Sequence, residues 1–391
     1  MNDETNKNIK LSKRIFSIKE ARVVAQKKLP KLVFDFVDGA SGDEKLSEIN
    51  YTALDQVRLE PKVLRNIEKR KLNKTFFNID YDYPFGFAPM GMCNLTWPGA
   101  DKMLANASIR YNVPTCVSMA STTSLEKMYE ISKGHSWLQL YIFQDENFVK
   151  DLLNRAKDTG YKVLILTVDV AILSRRARDE KNGFSMPFKI GPKQLLDFAT
   201  HPKWSLTTLL SGIPKPMNYL TSKNSKQVFK RKENRGSTDW DTLRRVRDIW
   251  KDKLIVKGIM SPEDAYKAKN EGVDAICVSN HGGRQLDCAT ASIDALPRIR
   301  EKVGKDYPLI FDSGIRSGSD IIRALALGAD FTMMGRPLMY GIGADQEYGL
   351  NRVLEIIREE LNISLGLVGL TNINEVNDAV IAKKYFKNIK Y

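Results

Sequence analysis

Eight short apolar runs recur along the chain, spaced so that a helix fits between most neighbours. They are YPFGFAP (83–89), PTCVSMA (114–120), SWLQLY (136–141), KVLILTVD (162–169), KLIVKG (253–258), DAICVSN (274–280), PLIFDSG (308–314) and DFTMMGR (330–336). Most are continuous rather than alternating, the pattern of parallel strands covered on both faces. The stretches between them have helical character. SPEDAYKAKNEG opens on Ser-Pro with an early acid and closes at Gly272, and SGSDIIRALALGA has a similar start and a closing glycine. Eight alternations in 391 residues predict one α/β domain, a (β/α)8 TIM barrel with an N-terminal helical extension. A doubly wound sheet is the alternative, but no GxGxxG follows the first strand.

One connection is too long for this scheme. More than eighty residues separate Asp169 from Lys253, and 180–236 form a long loop excursion after the fourth strand. It carries KIGPKQLLDFATHPKWSLTTLLSGIPKPMNYL and then the basic run KNSKQVFKRKENR. Loops of this length are usually functional or disordered. Leu, Phe and Trp beside a basic flank suit docking on a membrane surface or an electron acceptor; a lid over the barrel mouth is the other reading. The net charge of +14 favours anionic partners, or simply keeps the protein soluble. The polar N-terminus shows no secretory signal, and no stretch approaches a transmembrane length. Four cysteines with no CxxC pair and no ligand-like spacing to a histidine fit a reducing compartment, with neither disulfides nor a metal site.

In a barrel, residues just past the C-terminal strand ends share one mouth. Those ends carry Gly91, Ser118, Gln139 with Tyr141, Thr167 with Asp169, Lys257, Ser279 with His281 and Arg284, Asp312, and Gly335 with Arg336. Polar groups at nearly every end indicate a site rather than a packed core. The last two strands run into DSGIRSGSD and MMGRP, where barrels commonly hold phosphate with glycine N–H groups and a helix N-terminus. Arg316 and Arg336 would add charge-assisted bonds to phosphate oxygens. The alternative is that the glycines only turn the chain beside solvated arginines.

His281, one of three histidines, lies in SNHGGRQLD (279–287). A hydrogen-bonded structural imidazole is the plain reading. Its company argues for more. Gly282 and Gly283 would let a flat ligand approach the backbone, Arg284 can fork onto a carboxylate, and Asp169 can orient and charge the ring. His281 is therefore the candidate base. Lys257, closing LIVKG, either snorkels to water or stabilises negative charge on a reduced cofactor ring.

Taken together, QLY, LTVD, LIVKG, SNHGGRQLD, DSGIRSGSD and GRP closely resemble the FMN-dependent α-hydroxy acid dehydrogenase and oxidase family, from about residue 18 to about residue 370. The resemblance implies FMN across the barrel mouth. Its phosphate would lie near Gly335, Arg336 and the segment Asp312, Ser313, Gly314 and Arg316. Its ring would be held by Pro89, Met90, Gly91, Ser118, Gln139, Thr167 and Lys257, with Ser279 beside it. A 2-hydroxy acid would place its carboxylate on Arg284 and Arg176, from LSRRARD, with Tyr141 near the hydroxyl carbon. His281, paired to Asp169, would take a proton as the acid becomes a 2-keto acid.

Gly91, in APMGMC, stands where oxidases of the family tend to have alanine, so electrons are expected to pass to a quinone or other carrier; an oxidase producing hydrogen peroxide is the alternative. MGMCNLTWPGAD and RQLDCATASIDALP look most like the membrane-associated lactate and mandelate dehydrogenases of the family. A cytoplasmic location is expected, with peripheral contact on the inner face of the plasma membrane, and a homo-oligomer, since the family is often tetrameric. One position departs from the pattern. The family's carboxylate-binding tyrosine falls at the second aromatic of VFDF, which is Phe36. A phenyl ring cannot donate a hydrogen bond, which argues against ordinary lactate or glycolate recognition and leaves bulkier or less conventional acids. A non-catalytic basic module on membrane or nucleic acid is the alternative of another class. The basic residues do not interleave with aromatics as a stacking platform would, and no nucleic-acid partner is expected.

Overall fold

Each apolar run becomes a strand. The computed structural model describes residues 10–141, 145–185, 188, 190–222 and 235–382. A hairpin comes first, β1 (Lys74–Phe76) and β2 (Ile79–Tyr81). Then follow β3 (Phe85–Met90), β4 (Thr115–Ser118), β5 (Ser136–Tyr141), β6 (Val163–Thr167), β7 (Lys253–Ile259), β8 (Ala275–Val278), β9 (Leu309–Phe311) and β10 (Phe331–Met334). β3 to β10 pair in parallel in chain order, and β10 closes back on β3. This is the expected (β/α)8 barrel. Its runs are continuous because both faces are covered: β4, β6, β8 and β10 are buried at every position. Cys116, Ile165, Ile255, Cys277, Ile310 and Met333 fill the barrel interior.

The hairpin closes one end. Phe76 and Tyr81 pack with Trp137 and Phe331, which lie at the starts of their strands, so the N-terminal end of the barrel is plugged by aromatic rings. Only the C-terminal end is left to form a mouth. Helix starts follow the local signals. Ser261 accepts a hydrogen bond from the Asp264 N–H at 3.3 Å, and Ser317 forms a capping box with Asp320. The N-terminal extension is helical as expected, with helices Ile18–Lys28, Lys31–Asp38 and Lys45–Gln56.

The long excursion after the fourth barrel strand is largely helical among its described residues. Helix Ala177–Lys181 leads into it, and its described residues build helices Pro192–Ala199, Pro202–Ser211 and Met217–Leu220. Two of them start with proline in the first turn, where its missing N–H costs nothing. They are pinned to the barrel and the extension. The Trp204 indole donates to the Leu95 and Thr96 carbonyls at 3.2 and 3.1 Å. Asp197 accepts from the Lys31 and Leu32 N–H groups at 3.0 and 3.2 Å, capping a helix whose own N-cap, Pro30, has no side-chain oxygen. Asn182 donates to Asp35, and Arg178 reaches Asp35, Asp38 and Glu44. The basic run up to Asn234 lies outside the described residues. Among the described residues no helix is long and apolar enough to cross a membrane.

Candidate active site

The motif SNHGGRQLD accounts for much of the mouth, almost residue by residue. Ser279 accepts from Lys257 Nζ at 2.7 Å and from the His281 N–H at 3.1 Å. Asn280 exchanges amide hydrogen bonds with Asn50 at 2.7 and 2.8 Å, which ties the strand end to the N-terminal extension. His281 adopts a left-handed backbone (φ 59°) that turns its ring toward Asp169. Gly283 has φ 75°, and a Cβ there would lie 2.6 Å from the Ser47 backbone nitrogen, so only glycine fits. Gln285 donates to the Asp169 and Ile172 carbonyls, and Asp287 accepts from the Asp43 and Leu46 N–H groups.

The His281–Asp169 pair is close, with Nδ1 3.0 Å from Oδ1. A carboxylate on Nδ1 fixes the proton there and leaves Nε2 to accept another. Burial pushes the imidazole below its ordinary pKa, and Asp169 opposes that shift without cancelling it. Burial works against ionised Asp169 too, but His281 and Lys257 outweigh it and hold the carboxyl below its usual range. Gly258 makes the pairing possible. Its φ is 108°, and a Cβ would sit 2.5 Å from that of Asp169. No reading of the sequence singled it out.

A cavity of about 260 Å³ opens over this pair. Of the residues expected in the site, Phe36, Pro89, Met90, Gly91, Ser118, Tyr141, Arg176, Lys257, His281 and Arg284 line it. So do Asp312, Ser313, Gly314, Arg316, Gly335 and Arg336. Gln139, Thr167, Ser279 and Asp169 do not line it but neighbour residues that do; Ser118 Oγ donates to Gln139 Oε1 at 2.9 Å. Arg284 differs from expectation in its partners. Its guanidinium donates to the carbonyls of Phe36, Val37 and Gly39, so it braces the C-terminal end of the helix Lys31–Asp38 as well as charging the cavity. Among the wall residues that sequence reasoning missed, Phe184 and Arg235 bear most on the site. Phe184 stacks on Phe36 with centroids 4.5 Å apart, across 148 positions of chain that carry no local signal. Arg235 ends the basic run that reads as surface charge.

The mouth fits FMN on its own chemistry. Gln139 Nε2 and Thr167 Oγ1 are buried with no partner among the described residues, which suits a ring edge that donates and accepts hydrogen bonds. Lys257 is 3% exposed and pairs with Asp312 at 3.2 Å; burial opposes its charge, but Asp312 and Asp169 overcome that and raise its pKa. Arg336 donates to the Gly282 and Gly39 carbonyls at 2.8 and 3.0 Å, its Nε is buried and unpaired among the described residues, and burial lowers its pKa to about 10. A buried, under-satisfied guanidinium beside Arg316 and Gly335 suits the anionic oxygens of a phosphate.

A parallel barrel with a cationic phosphate end, a buried lysine beside orphaned amide and hydroxyl groups, and a carboxylate-held histidine defines a flavin-dependent oxidoreductase of the barrel class. Comparison with known proteins agrees. Residues 25–383 match the family model described as FMN-dependent dehydrogenase. The chain is 36% identical over 371 residues to the (S)-mandelate dehydrogenase of Pseudomonas putida, covering 94% of each. It is 34% identical over 376 residues to the L-lactate dehydrogenase of Pseudomonas syringae pv. syringae (strain B728a), covering 94% of this chain and 99% of that one. The crystal structure of the monotopic membrane protein (S)-mandelate dehydrogenase superimposes with a TM-score of 0.89 at 34% identity, over 95% of this chain and 100% of the other. The chain belongs to the FMN-dependent dehydrogenase family. FMN is its cofactor, and it oxidises 2-hydroxy acids to 2-keto acids.

Proposed function

We propose that the chain oxidises a bulky, apolar 2-hydroxy acid while docked peripherally on a membrane, and that its electrons pass to a quinone or a similar carrier. The observation that carries the substrate reading is the Phe36–Phe184 stack in the cavity wall, with Met92, Val170 and Leu173 beside it. An apolar wall rewards a ring or branched chain on the substrate and has no donor for a small acid. Arg176 and Arg284 attract the carboxylate, Tyr141 stands over the hydroxyl carbon, and His281 Nε2 takes the proton that the substrate loses. Asp169 steadies the imidazolium that results. Bound FMN supplies the two-electron acceptor, held by Arg316 and Arg336 at its phosphate and by Gln139, Thr167 and Lys257 at its ring.

The carrier and membrane readings rest on the excursion. Leu195, Leu196, Leu206, Leu209, Leu210 and Ile213 are all exposed, the last two leucines to 77 and 80%. Six large apolar side chains in water, five on two neighbouring helices and Ile213 just beyond them, are costly unless something covers them. Trp204 fixes one of these helices against Thr96, a residue of the cavity wall, so an acceptor dissolved in lipid would meet the protein beside the mouth. One experiment tests the reading. The oxidised protein is mixed without oxygen with a panel of 2-hydroxy acids, and flavin bleaching is followed; reoxidation is then timed with a quinone analogue and with oxygen. Mandelate-like and branched acids should bleach the flavin faster than lactate or glycolate, and the quinone should reoxidise it faster than oxygen. Equal bleaching by glycolate, or faster reoxidation by oxygen, would overturn the corresponding half.

A further inference from the structure

The excursion returns to the barrel at Arg235. Its backbone N–H donates to the Ala171 carbonyl at 3.0 Å, two residues beyond Asp169, and its side chain is turned inward, 6% exposed. The guanidinium lines the same cavity as Tyr141, Arg176 and His281, with its Cζ 5.2 Å from the centroid of the Tyr141 ring. A cation over the face of a phenol is held by the ring's electron density, more strongly when water is excluded. The effect is mutual. The cation draws density from the ring and makes the phenol O–H a stronger hydrogen-bond donor.

We propose that Arg235 is a positioning residue for the oxidation step, acting through Tyr141: it fixes the ring over the substrate and strengthens the hydrogen bond that its hydroxyl donates. The proposal rests on the reading of Tyr141 as a substrate contact. The charged groups that act on Tyr141 are Asp169, Lys257, Arg235 and Arg176, drawn from the ends of β6 and β7, the return of the excursion and the loop after β6. Burial, with Asp169, opposes ionisation of the phenol and raises its pKa, while the three cations favour ionisation; of the three, Arg235 lies over the ring face. Lysine would keep a positive charge above the ring, whereas methionine would keep much of the length and lose the charge.

The test is a double-variant cycle on the FMN-loaded protein. The rate of flavin reduction is measured with (S)-mandelate, or with L-lactate should that reduce the flavin faster. Arg235→Met should slow reduction on the order of tenfold, the size of a desolvated cation–π contact, and Arg235→Lys should recover most of that loss. Tyr141→Phe should also slow reduction. Adding Arg235→Met to Tyr141→Phe should cost less than a further twofold, because the hydroxyl through which Arg235 acts is gone. Losses that multiply in the double variant would overturn the proposal, since a general electrostatic or structural role predicts that result. Wild-type reduction by Tyr141→Phe alone would sink the underlying reading instead, and it shows without any change at Arg235. Should Arg235→Met lose its flavin, recorded as lost visible absorbance, Arg235→Lys and its combination with Tyr141→Phe carry the same comparison.

Discussion

His281 owes its chemistry to two opposed influences, burial that lowers its pKa and Asp169 that raises it. The net lowering keeps the ring neutral at neutral pH and ready to accept a proton. Activity should therefore be lost as pH falls through a value below the ordinary imidazole pKa of 6.5. Asp169→Asn removes the one raising influence. The acidic limb of kcat/KM should move further down, and the plateau should fall roughly 10- to 100-fold as the imidazolium loses its partner. An acidic limb that moves up would contradict the pairing. Phe36 decides selectivity at the same scale. A tyrosine hydroxyl bonded to a carboxylate is worth about 1.5–3 kcal/mol, or roughly tenfold to a hundredfold. Phe36→Tyr should improve kcat/KM for lactate or glycolate by that factor and weaken it for bulky acids, because the added oxygen intrudes on the stack with Phe184. Efficient lactate oxidation by the unmodified protein, unchanged by the tyrosine, would show that position 36 carries no substrate information.

Among the elements, the excursion is the one whose surface chemistry the barrel does not explain. Its helices are anchored on one side through Trp204, Asp197 and Asn182 and bare on the other at Leu209 and Leu210. This asymmetry allows a clean experiment. Deleting the segment would remove the anchors along with the leucines, whereas Leu209→Ser with Leu210→Ser touches only the exposed side. The double variant should move from the membrane fraction to the soluble one and keep its flavin and its rate of reduction by substrate. Each buried leucine contributes about 1.5–3 kcal/mol on entering an apolar phase, so two suffice to shift partitioning by more than tenfold. Unchanged partitioning would return the excursion to the role of a cover over the mouth.

For the molecule as a whole, three of the polar atoms buried without partners among the described residues gather at the mouth: Gln139 Nε2, Thr167 Oγ1 and Arg336 Nε. A polar group buried without a partner costs stability, so FMN that pairs these atoms should stabilise the fold. The purified chain should be yellow, with about one FMN per chain. Stripping the flavin should lower Tm, and free FMN at a hundredfold its Kd should restore about 2.7 kcal/mol. Arg336→Gln should retain less flavin while the barrel stays folded, as circular dichroism would show. Colourless protein that binds NAD and ignores FMN would overturn the assignment of the site.

The barrel was legible in the sequence because its determinants are local. Continuous apolar runs, Ser-Pro starts and closing glycines are each set by neighbours a few positions apart, and eight of them in order leave few topologies. His281, Asp169, Lys257 and Arg336 could be placed by the same logic, since strand ends in a closed barrel share one mouth. The partners could not. Phe184 behind Phe36, Gly258 making room for Asp169, Asp197 capping the helix Lys31–Asp38 and Arg235 turned in over Tyr141 are contacts between segments that meet only once the barrel has closed. Charge and hydrophobicity along the chain are the same whether a side chain ends in water or in a wall. Arg235 could therefore pass for one more surface cation in a basic run until tertiary packing set its direction.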